Sequence, residues 1–204
     1  MDMRTAEAPR ALLEHLADGP LPEWERLAAQ VVTRSLAPGK ALFHADTAWP
    51  WVAVVASGLV KLVYLREDGQ ERIKSFIEEG GFFASLSALQ PRGRTSFSAV
   101  AMEAARVVCL PYEVILALGE QHLAWQKGLR RALEIYGQRK EQRERDLLTL
   151  SAEMRYRRLL AEQPGLAGRV PQKDLALYLG ITPVGLSRIR ARVTRGAEGA
   201  RRGS

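Results

Sequence analysis

Ser187 and Arg188 stand side by side in the stretch PQKDLALYLGITPVGLSRIR, residues 171 to 190. A short hydroxyl beside a long guanidinium suits the edge of a base pair. The guanidinium can bridge the O6 and N7 acceptors of guanine, and the small serine lets a helix approach closely. Gln172 and Lys173 open the same stretch, where side chains and free backbone N–H groups can meet phosphates. Thr182, Val184 and Arg192 complete the predicted contact set on the outward side of its second half.

The charge of the chain is concentrated around this stretch. The 204 residues carry 30 Lys and Arg against 23 Asp and Glu, a formal charge of +7. Residues 151 to 204 hold eleven of the basic residues and four of the acidic ones, while the first 150 residues hold 19 of each. All the surplus therefore lies in the last quarter, the pattern of a segment that gains affinity for a polyanion by releasing counterions.

A particular local fold must carry these side chains. Leu175, Ala176 and Leu179 give a short helix over 174 to 179 its inward face. Gly180 permits a left-handed turn, Thr182 can cap the next helix and Pro183 suits its first position. Leu186 and Ile189, three apart, then bury the second helix. This spacing predicts a helix-turn-helix, whose second helix enters a major groove of double-stranded DNA.

Other elements precede it. The run from 150 to 165 reads as a helix capped by Ser151 and ended by Pro164 and Gly165. Residues 122 to 148 read as one long helix of roughly 40 Å at 1.5 Å per residue. Trp125, Leu129, Ala132, Leu133 and Tyr136 form its apolar stripe. Pairing with a second copy is expected there, because Trp125 and Tyr136 would otherwise be exposed. Residues 112 to 120 read as a shorter helix. Between Ser35 and Pro111 the runs KALFHA, WVAVVASG, LVKLVYLR, ERIKSFIE, TSFSAVAME and ARVVCLP read as antiparallel strands, with a hairpin through Asp68 and Gly69. Apolar spacing near 3.6 over residues 10 to 35 predicts two short helices. The fold class is α+β: an N-terminal antiparallel β-roll, a long helix and a C-terminal helical domain.

Composition narrows the functions. Cys109 stands alone, and His15, His44 and His122 are scattered without ligand-like spacing, so neither a metal, a haem nor a metal-dependent barrel enzyme is expected. No run approaches the roughly 18 apolar residues of a membrane span, and the acidic N-terminal stretch does not read as a secretion signal, which predicts a cytoplasmic protein. The reading is of a binding protein and not an enzyme.

VPQKDLALYLGITPVGLSRIR and GLVKLVYLREDGQERIKSFIEEGGFF together resemble the Crp/Fnr superfamily of bacterial transcription regulators. The resemblance implies a cyclic-nucleotide-binding-like roll at 1 to 119, a dimerisation helix at 120 to 149 and a DNA-binding domain at 150 to 204. It also implies a homodimer on a palindromic operator, RNA polymerase as a further partner and a small-molecule effector of unknown identity. Ser187 and Arg188 match the end of the family's recognition motif, where the arginine contacts guanine. Val184 stands where a glutamate is common, so the family's best-known half-site does not carry over.

The effector pocket implied by the resemblance comprises Phe83, Ala84, Ser85, Arg94, Thr95 and Ser96. Relatives that bind cyclic AMP have Gly-Glu and Arg-Ser where this chain has Ala84-Ser85 and Thr95-Ser96. A buried phosphate lacking a cationic partner is costly, so no cyclic nucleotide cofactor is expected. Arg94, one residue early, should face away. A roll retained only for protein interaction and dimerisation is the alternative to a roll with an effector. The family's wing has no counterpart after Val193, where TRGAEGARRGS reads as an irregular, phosphate-contacting tail.

Overall fold

A computed structural model describes residues 3–202, and the side chains of residues 9–193 and of Arg195. The chain divides into two compact units, Met1–Gly137 and Gln138–Ser204. Helix α4 (Leu123–Thr149) begins in the first and ends in the second.

The first unit opens with α1 (Met3–Ala17) and α2 (Trp24–Ala28), followed by β1 (Val32–Leu36), β2 (Ala41–Phe43), β3 (Trp51–Ser57), β4 (Val60–Leu65), β5 (Glu71–Ile77), β6 (Phe82–Phe83), β7 (Ser98–Ala101) and β8 (Ala105–Pro111). Helix α3 (Tyr112–Gln121) then leads into α4. The strands form two four-stranded sheets, ordered β1-β8-β3-β6 and β2-β7-β4-β5, with every pairing antiparallel. This is the expected roll.

Alternation along the strands separates two apolar layers. Ala53 and Val55 of β3, Val107 and Cys109 of β8, and Val60 and Leu62 of β4 turn inward with Phe43, Phe83 and Phe97. On the other face of the first sheet, Val54, Val108 and Leu110 meet Trp24, Leu27, Leu118 and Trp125. Period-two patterning assigns each neighbour to one layer or the other. Gly58 joins β3 to β4 at φ 86°, where an added Cβ would lie 2.5 Å from the Ala104 carbonyl oxygen, so only glycine closes this turn.

Two short elements differ from the sequence reading. Val32 to Leu36 was expected at the end of a helical stripe, yet it pairs with β8 from Val32–Cys109 to Leu36–Ala105. Its Val-Thr start favours a strand, and the β8 edge supplies the partner that no local pattern reveals. Phe82 and Phe83 form a two-residue strand against β3.

The second unit holds the end of α4, then α5 (Ala152–Glu162), α6 (Leu166–Arg169), α7 (Gln172–Leu179) and α8 (Pro183–Arg202). Ser151 caps α5, its hydroxyl accepting from the Met154 N–H at 3.2 Å. Tyr156, Leu159, Leu166, Val170, Leu175, Leu179, Leu186 and Ile189 are buried. The tail expected to be irregular after Val193 instead continues α8 to Arg202. Ala, Arg and Glu favour that continuation, offsetting the roughly 1 kcal/mol that each of Gly196 and Gly199 costs in a helix.

Candidate nucleic-acid interface

Helices α7 and α8 and their turn form as their residues dictate. Gly180 takes φ 70°, its N–H reaches the Leu177 carbonyl at 3.2 Å, and the Ile181 N–H reaches the Ala176 carbonyl at 3.0 Å. Thr182 caps α8, its hydroxyl accepting from the Gly185 N–H at 3.1 Å. Ala176 and Leu186 are fully buried and Ile189 nearly so, which leaves the residues between them facing out.

All the residues predicted to contact a nucleic acid are exposed: Gln172, Lys173, Thr182, Val184, Ser187, Arg188 and Arg192. The Gln172 side-chain amide donates to the Pro183 carbonyl at 3.5 Å, bringing the starts of α7 and α8 together. Val184 presents an apolar surface, 63% exposed, at the leading end of α8. Arg188 and Arg192 lie one turn apart. Arg192 is not an unshared cation, because it pairs with Glu153 of α5 at 3.0 Å. Glu153 also bonds Arg157 at 3.0 Å. Arg157 first, with Arg192 after it, holds the Glu153 carboxyl below its ordinary range.

Two arginines that the sequence reading passed over complete this unit. Arg143 of α4 lies with its guanidinium 3.8 Å from the centre of the Tyr178 ring and donates to the Tyr178 carbonyl. Arg155 of α5 donates to the Leu150 carbonyl at 2.6 Å and the Leu179 carbonyl at 2.9 Å. Arg143 reads as part of a charged helical middle, and only the fold brings the Tyr178 carbonyl to it.

In the roll, the residues expected to line an effector pocket differ in exposure and in partners. Phe83 and Thr95 are 3% and 4% exposed and Ser85 is fully buried; Ala84 is half-buried, and Arg94 and Ser96 are exposed. The Ser85 hydroxyl accepts from the Ser96 N–H at 3.2 Å. The Thr95 hydroxyl donates to the His44 carbonyl at 2.6 Å and accepts from the Thr47 N–H at 3.1 Å. Arg94 pairs with Asp46 at 2.6 Å. Arg94 to Ser96 precede β7 and lie in a loop, so strand alternation does not set the direction of Arg94. Phe43 lies 4.9 Å from Trp49, 5.7 Å from Phe97 and 6.3 Å from Phe83, filling the interior with rings. The implied phosphate position carries Thr95 and Ser96 and no guanidinium of its own. The Thr95 hydroxyl proton is spent on a backbone carbonyl, and the nearby Arg94 guanidinium is paired with Asp46 at the surface.

Most of the α4 stripe is covered within its own unit, which differs from the expected exposure of Trp125 and Tyr136. Trp125 is 2% exposed. It stacks on Trp24 with ring centres 6.4 Å apart and donates to the Pro22 carbonyl at 2.8 Å, so burial within its own chain removes the reason for a partner at this position. Leu129 and Ala132 line an apolar cavity of about 40 Å³ together with Leu16, Val54, Phe82 and Trp125. The Tyr136 hydroxyl accepts from Lys74 at 3.4 Å. Leu133 is the exception in the stripe, 46% exposed.

Among the described residues no group of three or more His, Cys, Asp or Glu could hold a metal ion, and no helix is long and apolar enough to cross a membrane.

Known proteins share this arrangement. Residues 33–122 match the cyclic nucleotide-binding domain family. The cyclic AMP receptor protein of Thermus thermophilus is 36% identical over 104 residues, covering 50% of this chain and 48% of that protein, so the alignment spans about half its length. The crystal structure of the catabolite activator protein of Thermus thermophilus is 28% identical, covers 91% of this chain and 88% of that one, and gives a TM-score of 0.53. FixK2 from Bradyrhizobium japonicum, at 19% identity, covers 82% of this chain and 86% of its own with a TM-score of 0.69, a likeness of fold.

Proposed function

Because this chain belongs to the Crp/Fnr superfamily, we propose that it is a cytoplasmic, homodimeric regulator of transcription that reads double-stranded DNA with α8. The observation that carries the reading is the orientation of α8. Leu186 and Ile189 anchor it inward, so Ser187 and Arg188 point out at the end that would enter a major groove. Arg188 bridges a guanine, Ser187 and Val184 set the closeness of approach, and Gln172, Lys173, Thr182 and Arg192 meet the backbone.

A second copy presents the same helix, and two such helices one helical turn apart, about 34 Å, select a palindromic operator. Residues 1 to 119 serve as the roll, 120 to 149 as the dimerisation helix and 150 to 204 as the DNA-binding domain. Leu133 remains available to the partner copy. RNA polymerase is a further partner.

The roll takes no cyclic nucleotide in this reading. A second version, in which the roll has no effector and serves interaction and dimerisation alone, is favoured by one observation: the Thr95 hydroxyl both donates to and accepts from backbone groups. Selection of duplexes from a random pool tests the function. The expected outcome is a two-fold symmetric site that outcompetes random DNA by at least about a thousandfold at physiological salt. Equal competition by random DNA contradicts it. Titration with cyclic AMP is expected to leave both affinities unchanged.

A further inference from the structure

We propose that Arg143 and Arg155 are positioning residues for DNA reading: they fix the end of α7, and through it the start of α8, against the final turns of α4 and the start of α5. The inference rests on the function proposed above and assigns it two residues that touch no base.

The argument is an accounting of carbonyls. A helix ends with four carbonyl groups that its own amides cannot reach. In α7 these belong to Ala176, Leu177, Tyr178 and Leu179. The Ile181 and Gly180 N–H groups satisfy Ala176 and Leu177. The remaining two are taken by side chains from outside the motif, Tyr178 by Arg143 and Leu179 by Arg155. Two cations therefore meet the negative end of α7.

The geometry restricts more than charge. Arg143 places its guanidinium over the Tyr178 ring, 3.8 Å from the ring centre, while bonding that residue's carbonyl, a combination that suits the planar fork of an arginine. Arg155 spans the Leu179 carbonyl and the Leu150 carbonyl, linking the end of α7 to the chain just after α4. Burial draws the Arg143 guanidinium below its ordinary pKa, in keeping with a group removed from water. Gly180, two residues before the Thr182 cap, follows these carbonyls directly. A shift at Tyr178 and Leu179 is passed to Ser187 and Arg188 through the short turn at Gly180 and Ile181.

Lysine substitutions test this, because they keep the charge and lose the fork. In Arg143→Lys and Arg155→Lys, affinity for the selected duplex is expected to fall about tenfold, since charge-assisted bonds contribute on the order of one decade each. Affinity for random duplexes should stay within about twofold, and the salt dependence should match wild type, because neither residue neutralises a phosphate. Amide exchange at Gly180 to Leu186 should quicken in both variants. Equal losses on selected and random duplexes, or a salt slope reduced by about one, would overturn the proposal. If Arg155→Lys fails to fold by circular dichroism, Arg143→Lys decides. Should wild type select no duplex, the function above falls, and exchange alone judges the clamp: quickening supports it and unchanged rates contradict it.

Discussion

The roll and the C-terminal unit use similar residue types in opposite ways. In the roll, Ser85 and Thr95 turn inward and bond the backbone, and Arg94 is paired to Asp46 at the surface. In the C-terminal unit, Leu186 and Ile189 take the inward positions and leave Ser187 and Arg188 facing solvent. The difference shows that chemistry depends on which side chains the fold leaves open to solvent. A hydroxyl spent on a carbonyl inside a roll has little left to offer a ligand.

The two regions are also held together differently, which offers ways to break the contrast. The largest effect belongs to the ring-filled roll. Phe97, 1% exposed and 5.7 Å from Phe43, should lose about 3 to 5 kcal/mol of stability in Phe97→Ala. Urea unfolding measures this, and a loss under about 1 kcal/mol would mean that the interior is open enough to hold a ligand without rearrangement.

Next comes the exposed helix. Arg188→Ala should cost about 1 to 3 kcal/mol on the selected duplex and flatten sequence preference, whereas Lys173→Ala should weaken all duplexes alike and lower the salt slope by about one. Fluorescence anisotropy at several salt concentrations separates the two behaviours.

A smaller effect lies in α4. A Cβ at Gly128 would meet the Ala17 Cβ at 3.5 Å, an ordinary contact, so Gly128→Ala should stabilise the first unit by about 0.5 to 1 kcal/mol. Thermal denaturation detects it as a raised midpoint; a lowered midpoint would show that α1 and α4 pack more tightly than described. The least perturbing test is chemical. Burial pushes the Cys109 thiol up to about 12, against a weaker opposing pull from Arg34. It should stay protonated and resist alkylation at pH 8 until urea unfolds the roll.

How much was legible in the sequence follows from the range of each interaction. Gly180, Thr182, Leu186 and Ile189 act within one turn of each other, so their spacing alone announces the motif. The strands of the roll were legible from β-branched runs and the Asp68–Gly69 hairpin. Trp125 was misread because its partner, Trp24, lies far away in the chain and helical periodicity says only that one face is apolar. Arg143 and Arg155 escaped notice for a related reason. Their partners are backbone carbonyls 35 and 24 positions away, and a carbonyl has no letter in a sequence. The strand at 32 to 36 was hidden by the same limit, since its β8 partner is remote.

Protection of guanine N7 on the selected duplex addresses the central assignment most directly, because that atom is one the Arg188 guanidinium would cover. Dimethyl sulfate footprinting of wild type should show protected guanines in each half-site, separated by about 10 base pairs, and Arg188→Ala should lose that protection while still binding the duplex weakly. Identical protection in wild type and Arg188→Ala would contradict the assignment of base reading to this face of α8.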